Sequence, residues 1–166
     1  MTTVKVESPV RPSEDEDKVR MAMLNLFPDL RLRREGASLL GTGASLVKFG
    51  QLLKRYRIRD AARGVMLKGM HDDGMTVFRL NKQAAFMEKV GFAGSESPLG
   101  ELTVQIESGN LQAVIDELAP DTRPLSMRLA DGKGHHGKGG QPREKVHIRE
   151  KLDPKELLDE DVLEEL

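Results

Sequence analysis

The sequence predicts an α+β fold, an antiparallel sheet with helices packed on one face. Three observations predict it. Thr2–Glu7 and Leu99–Glu107 alternate apolar and polar side chains, the period of a half-buried strand. Residues 13–27, 45–56 and 111–119 repeat apolar side chains at three- and four-residue spacing, the period of a helix packed on one side. The two kinds of segment follow one another without a regular strand–helix–strand rhythm. An antiparallel sheet covered by helices accommodates that mixture.

Composition sets the bounds. The chain has 166 residues, enough for one domain and a tail. Its aromatic content is five Phe, one Tyr and no Trp, so Leu, Val, Ile and eight Met must supply most of the buried area. There is no Cys, hence no disulfide and no thiolate chemistry, which fits a reducing compartment. No apolar run approaches the roughly 20 residues that cross a bilayer. The first residues, MTTVKVESP, lack the basic and apolar regions of a signal peptide. A soluble cytoplasmic protein with no membrane partner is expected.

The elements follow in order. In Thr2–Glu7, Val4 and Val6 share one side. Ser13 with Glu16 three residues on forms a capping box for a helix that Pro28 stops. Val19, Ala22, Met23, Leu26 and Phe27 line its inner face. Leu30–Glu35 is a second strand, with Leu30 and Leu32 inward and Arg31 and Arg33 outward. Residues 36–43 read as a loop or short irregular strand. Ser45 caps a second helix built on Leu46, Phe49, Leu53 and Tyr56. A break near Ile58–Asp60 starts a third helix that reaches about Lys68, with Ala62, Val65, Met66 and Gly69 toward the core.

Gly69–Gly74 is a turn. Met75–Leu80 is a strand in which Met75, Val77 and Phe78 carry the β character. NKQAAFMEKVGF reads as a helical turn and then a strand from about Glu88. Leu102, Val104 and Ile106 are the inward residues of the strand over Leu99–Glu107. Asn110 caps a last helix with Leu111, Val114, Ile115 and Leu118 inward, and Pro120 ends it. Leu125–Leu129 suggests one more strand.

Residues 1–130 are therefore the α+β domain. Residues 131–142, DGKGHHGKGGQP, hold five Gly and no apolar side chain, so 131–149 reads as a flexible Gly/His/Lys linker. Residues 150–166 form an acidic helix, capped by Asp153 and opened by Pro154, with eight acids against two bases.

Net charge is −1, yet it is unevenly spread. Between Leu30 and Lys68 ten Lys and Arg stand against Glu35 and Asp60, a local +8. Such a patch is the footprint of a protein that meets phosphates. On a continuous helix Arg55 and Arg59 would each fall within about 20° of Lys48. Arg59 and Arg63 would share a face of the third helix. The candidate RNA-binding residues are Arg31, Arg33, Arg34, Lys48, Lys54, Arg55, Arg57, Arg59 and Arg63. Asn81, Lys82 and Gln83 add contacts if their turn lies nearby. Tyr56, between Arg55 and Arg57, either stacks on a base or packs in the core. Scarce aromatics favour recognition of structured RNA by phosphate and shape over a stacking platform.

Other motifs carry less. Gly41-Thr42-Gly43 before Ser45 could offer amides to a phosphate, but no Walker or Rossmann pattern surrounds it, and it reads as a turn. His71-Asp72-Asp73 sits in a glycine-flanked turn that suits Asp without any metal. His135, His136 and His147 lie on the linker and make no preorganised site. No GxSxG elbow, HExxH or thiol nucleophile is present. A non-catalytic protein without metal or cofactor is expected.

The stretches VKVESPVRPSEDEDKVRMAMLNLFP, LNKQAAFMEKVGF and SPLGELTVQIES together resemble a small archaeal family of uncharacterised proteins labelled as predicted RNA-binding. The resemblance runs from about Val4 to Thr122 and stops short of the linker and acidic end. It implies a fold similar to that of the large-subunit ribosomal protein that binds 5S RNA, and an intracellular, non-catalytic protein. It supplies no site residues. The expected function is binding of structured RNA through the basic segment, in a ribosome-related or RNA-processing assembly. The rivals are a protein-interaction module, with a homodimer among its forms, and an enzyme of unrecognised type.

Overall fold

The computed structural model describes residues 1–71, 74–94, 100–124 and 126–128. The expected linker and acidic helix lie outside these residues. The chain divides into two units, Met1–Pro124 and Leu125–Leu166. Of the second, residues 126–128 are helical, which replaces the strand suggested there. All that follows concerns the first unit.

Alternation of small and branched apolar residues makes β1 (Thr2–Pro9) the centre of the sheet. It pairs antiparallel with β3 (Ser38–Gly43) on one side and with β6 (Glu101–Ser108) on the other. β2 (Arg31–Glu35) forms a tight hairpin with β3 through Gly36 and Ala37, and Gly36 takes φ +57 there. Glycine adopts that left-handed backbone without a Cβ penalty. The segment left between loop and strand by its sequence is thus a full strand. β5 (Met75–Asn81) lies beyond β6, and β4 (Met70–His71) forms the far edge. The order is β2-β3-β1-β6-β5-β4, and every pairing is antiparallel.

The register puts Val4, Val6, Leu39, Thr76, Phe78, Leu80, Leu102, Val104 and Ile106 on one face, all buried. Helices α1 (Glu16–Leu26), α2 (Val47–Arg55), α3 (Arg59–Lys68), α4 (Lys82–Phe86) and α5 (Leu111–Leu118) contribute the rest of that core. The few aromatics are concentrated rather than spread. Phe27, Phe49, Phe78 and Phe92 form one file with ring centroids 5.2, 5.9 and 6.3 Å apart. α3 ends at Gly69, where a Cβ would stand 2.1 Å from the Val77 carbonyl oxygen. Only glycine lets the helix end approach the strand that closely.

Several expectations are corrected. Asp15 caps α1, accepting from the Asp17 amide at 2.9 Å, in place of Ser13. Glu14 is drawn away to the Arg11 amide and to Lys82, which leaves the next acid to serve the helix. α2 begins at Val47 with Leu46 in the cap position, and the Ser45 hydroxyl serves the helix start from one residue earlier, accepting from the Val47 amide at 3.4 Å. The strand expected over Met75–Leu80 is present as β5, with Thr76, Phe78 and Leu80 inward and Met75 and Val77 outward. The Thr76 hydroxyl tolerates burial because it donates to the Met66 carbonyl at 2.7 Å. Among the described residues from Glu88 to Gly94 no strand forms. Only an isolated bridge joins Leu80 and Phe92.

Candidate nucleic-acid interface

The basic segment is dispersed by the fold over two faces of the sheet. Arg31 and Arg33 pair in register with Thr42 and Leu40, on the face opposite the helices. Arg34 pairs with the buried Leu39 and so points to the helix side, where its guanidinium meets Glu16 at 2.5 Å. Glu16 also holds Arg20 at 2.7 Å. Its carboxyl lies below the usual range, chiefly because of the Arg20 hydrogen bond, with Arg34 adding to it.

On the open face Arg33 pairs with Glu35 at 3.1 Å, Lys5 with Glu107 at 2.8 Å, and Arg79 with Glu101 at 3.4 Å. That face is polar and its charges largely compensate one another. None of its outward residues is Phe, Tyr or Trp, and the His71 imidazole at its edge is its one aromatic ring among the described residues.

The helix side is different. α2 ends in LLKRYR and α3 begins at Arg59. The Ile58 amide donates to the Leu53 carbonyl at 3.1 Å and the Arg57 amide to that of Lys54 at 3.2 Å. This double bond is the Schellman closure of a helix end, and it requires the left-handed backbone at Arg57, where φ is 57. The helix is therefore broken. The alignment of Arg59 with Lys48 and Arg55 expected for a continuous helix does not exist. Lys48 and Arg55, two turns apart within α2, still share its outer face.

Lys54, Arg55 and Arg57 are exposed around this elbow, and Lys48 and Arg59 are half-exposed. Among the described residues none of these five makes a salt bridge. The Arg55 guanidinium lies 5.8 Å from the centroid of the Tyr56 ring. Tyr56 is half-buried and packs against the core.

Two cations from the basic segment and its neighbour are committed to structure. Arg63 donates to Asp116 at 2.6 Å and to the Ala119 carbonyl at 2.9 Å, tying α3 to α5. Lys82 is buried, donating to the Pro9 carbonyl at 2.6 Å and to both Glu14 oxygens at 3.1 Å. Asn81 accepts from the Ala84 amide at 2.9 Å as the cap of α4. These roles remove Arg63, Asn81 and Lys82 from the exposed surface. The amides after Gly43 are taken as well. Asp29 accepts from Ala44 at 2.8 Å and Ser45 at 2.9 Å. Burial alone would raise the Asp29 carboxyl, but these amides outweigh it and hold the carboxyl low. The turn carries its own anion, so it is not a phosphate cradle.

No family model matches the chain. A UPF0201 protein of Methanothermobacter thermautotrophicus is 44% identical over 124 residues, covering 73% of this chain and 93% of its own length. The crystal structure of a UPF0201 protein from Methanococcus jannaschii matches with a TM-score of 0.66 at 34% identity, over 73% of this chain and 95% of that one. A UPF0200/UPF0201 protein of Archaeoglobus fulgidus is 32% identical over 123 residues, which are 72% of this chain and 38% of that protein. The M. thermautotrophicus and M. jannaschii proteins are matched along nearly their whole length, and the chain belongs to the UPF0201 family.

Proposed function

We propose that the protein binds structured RNA through the α2–α3 elbow, with Lys48, Lys54, Arg55, Arg57 and Arg59 contacting phosphates. The observation that carries this reading is the placement of two of them. Arg57 holds a left-handed backbone that favours glycine, and Arg59 puts a cation at the start of α3, the positive end of its dipole. Neither placement serves the fold. α3 also has no side-chain cap on its first amides, and its first turn holds Asp60. A phosphate held by Arg57 and Arg59 would lie at this helix start. Arg31 on the opposite face is a separate contact at most. A fold like that of the 5S-RNA-binding ribosomal protein, and a place in a ribosome-related or RNA-processing assembly, belong to the same proposal.

Titration of the full chain with a folded RNA at several salt concentrations tests it. Affinity should fall steeply with salt, and changing Arg55 and Arg59 to Ala should flatten that dependence. A wild-type affinity undetectable at low salt would end the proposal. Crosslinking in cells and sequencing of the attached RNA would name the target.

A second reading is favoured by one observation. The matched segment fills only 38% of the A. fulgidus relative, whose name joins two families. In that protein the domain shares a chain with a larger remainder. A protein-assembly role, as a partner of a second domain, follows for this chain.

A further inference from the structure

The chain has one tyrosine, and it stands at the elbow. Four of the five phenylalanines form the file of Phe27, Phe49, Phe78 and Phe92, and the fifth, Phe86, belongs to α4. Tyr56 follows the last residue of α2, and its amide donates to the Leu52 carbonyl at 3.0 Å. It is half-buried and packs against the core. The backbone bond and the packing together fix where the ring stands.

Arg55 is the last residue of α2, and its guanidinium carbon lies over that ring, 5.8 Å from the centroid. That is inside the cation–π range of about 6 Å. Arg55 is itself exposed and, among the described residues, has no salt bridge and no second ring contact. A guanidinium is planar. Its edge carries the N–H donors, and its faces stack on other flat groups. Tyr56 supports the Arg55 group from the side of the core and leaves it one more face to use.

The flat groups of RNA are its bases. They stack on arginine planes when they are unpaired, because bases within a duplex already stack on one another. The elbow has one such pair of residues, which is room for one base. Lys54 precedes Arg55 and Arg57 follows Tyr56, both exposed, so the pair is flanked by a cation on each side in sequence. A single unpaired nucleotide has the matching order, a base between two phosphates. A cation at the end of α2 also suits the helix dipole, but a lysine would serve that role equally. What arginine adds is the plane.

We infer that Arg55, backed by Tyr56, stacks on one unpaired base, so that the RNA held at the elbow carries a bulged nucleotide. The inference rests on the RNA reading above and adds the class of RNA. The guanidinium edge still reaches phosphate while its face holds the base, so the charge contact of Arg55 stands beside it.

Three RNA duplexes with the same blunt ends test it. One is fully paired, one has a single bulged adenosine, and one has an abasic residue in place of that adenosine. The abasic duplex keeps the additional phosphate and loses only the base. The full chain should bind the bulged duplex about tenfold more tightly than the abasic one, the effect of one stacked base. A fluorescent purine analogue at the bulge should change its emission on binding. Arg55→Lys keeps the charge at an exposed position. It should bind the fully paired duplex as the natural chain does and lose the preference for the bulged base. Tyr56→Phe keeps the ring and should keep the preference. Equal affinity of the natural chain for the bulged and abasic duplexes would overturn the stacking contact and leave RNA binding standing. A preference that survives Arg55→Lys would overturn it too, since the base would then be held elsewhere. Failure to bind any of the three duplexes at low salt would overturn the RNA reading and the stacking contact together.

Discussion

Lys82 and Arg57 carry the same charge and meet opposite fates. Lys82 is 6% exposed, with three oxygens around its ammonium, and it joins three segments of chain. Arg57 stands at an elbow, in no salt bridge among the described residues, with a backbone that favours another residue. Arg34 and Arg63 resemble the first, and Lys54, Arg55 and Arg59 the second. A run of positive charge in a sequence is thus not a quantity of positive surface. What is free for a ligand is the remainder after the fold has paired what it uses.

The comparison breaks most visibly at Lys82. Lys82→Ala removes one partner of a buried pair and leaves Glu14 only the Arg11 amide and the Pro9 carbonyl only the Ser8 hydroxyl. Loss of one partner of such a pair typically costs about 3–5 kcal/mol. Urea denaturation should show a loss of that order, with RNA affinity per folded molecule unchanged. A loss below about 1 kcal/mol would mean that Lys82 is not built into the domain in this way.

The elbow should respond in the opposite sense. Arg55→Ala with Arg59→Ala should leave the denaturation midpoint in place, since neither side chain has a salt-bridge partner to lose. RNA affinity should fall on the order of tenfold or more near 0.1 M salt. The slope of log affinity against log salt should shrink by about one for each lost phosphate contact. A changed midpoint with unchanged affinity would reverse the assignment of these residues.

The fold was legible where local and long-range signals agree. β1, β6 and α5 show clean periods, and Asn110 does cap α5, accepting from the Ala113 amide at 3.2 Å. Legibility failed where several residues could serve one role. Among the acids from Glu14 to Asp17 the cap was decided by Lys82, far along the chain, taking Glu14. In β5 the inward side depended on the Met66 carbonyl being placed to receive Thr76. The basic segment was evident, but its division was not, because Arg34–Glu16 and Arg63–Asp116 are pairings across the fold.

Acid sharpens the comparison at intermediate scale. Burial would push the Glu14 carboxyl up, but hydrogen bonds from the Arg11 amide and Lys82 outweigh it and hold it below its ordinary 4.5. A carboxyl lowered in the folded state contributes stability that is present above its unfolded value. That stability is lost as pH falls through the lower folded value. The domain should therefore lose stability as pH falls below about 5. Glu14→Gln should be less stable than the natural chain at neutral pH and should lose less of what remains on acidification. Parallel curves for the two proteins would show that the pair does not contribute.

The smallest expected effect separates fold from function at one residue. Arg57 occupies the position after a helix end that glycine fills most easily, and a left-handed backbone costs a residue with a Cβ about 1–2 kcal/mol. Arg57→Gly relieves that cost. Glycine also gives the unfolded chain more freedom, which takes back part of the gain. The net expectation is a gain of about 0.5–1 kcal/mol by urea denaturation, since the Arg57 side chain has no salt bridge to lose. The same change should weaken RNA binding and lower the salt slope by about one, through loss of a phosphate contact. A variant at once more stable and weaker in binding would mean that the charge is kept at this elbow against the interest of the fold. Arg57→Ala keeps the backbone cost and removes the charge, so it should match Arg57→Gly in affinity and fall below it in stability. Should Arg57→Gly bind RNA as the natural chain does, Arg57 is no contact, and the elbow would have to be redrawn around Lys54, Arg55 and Arg59.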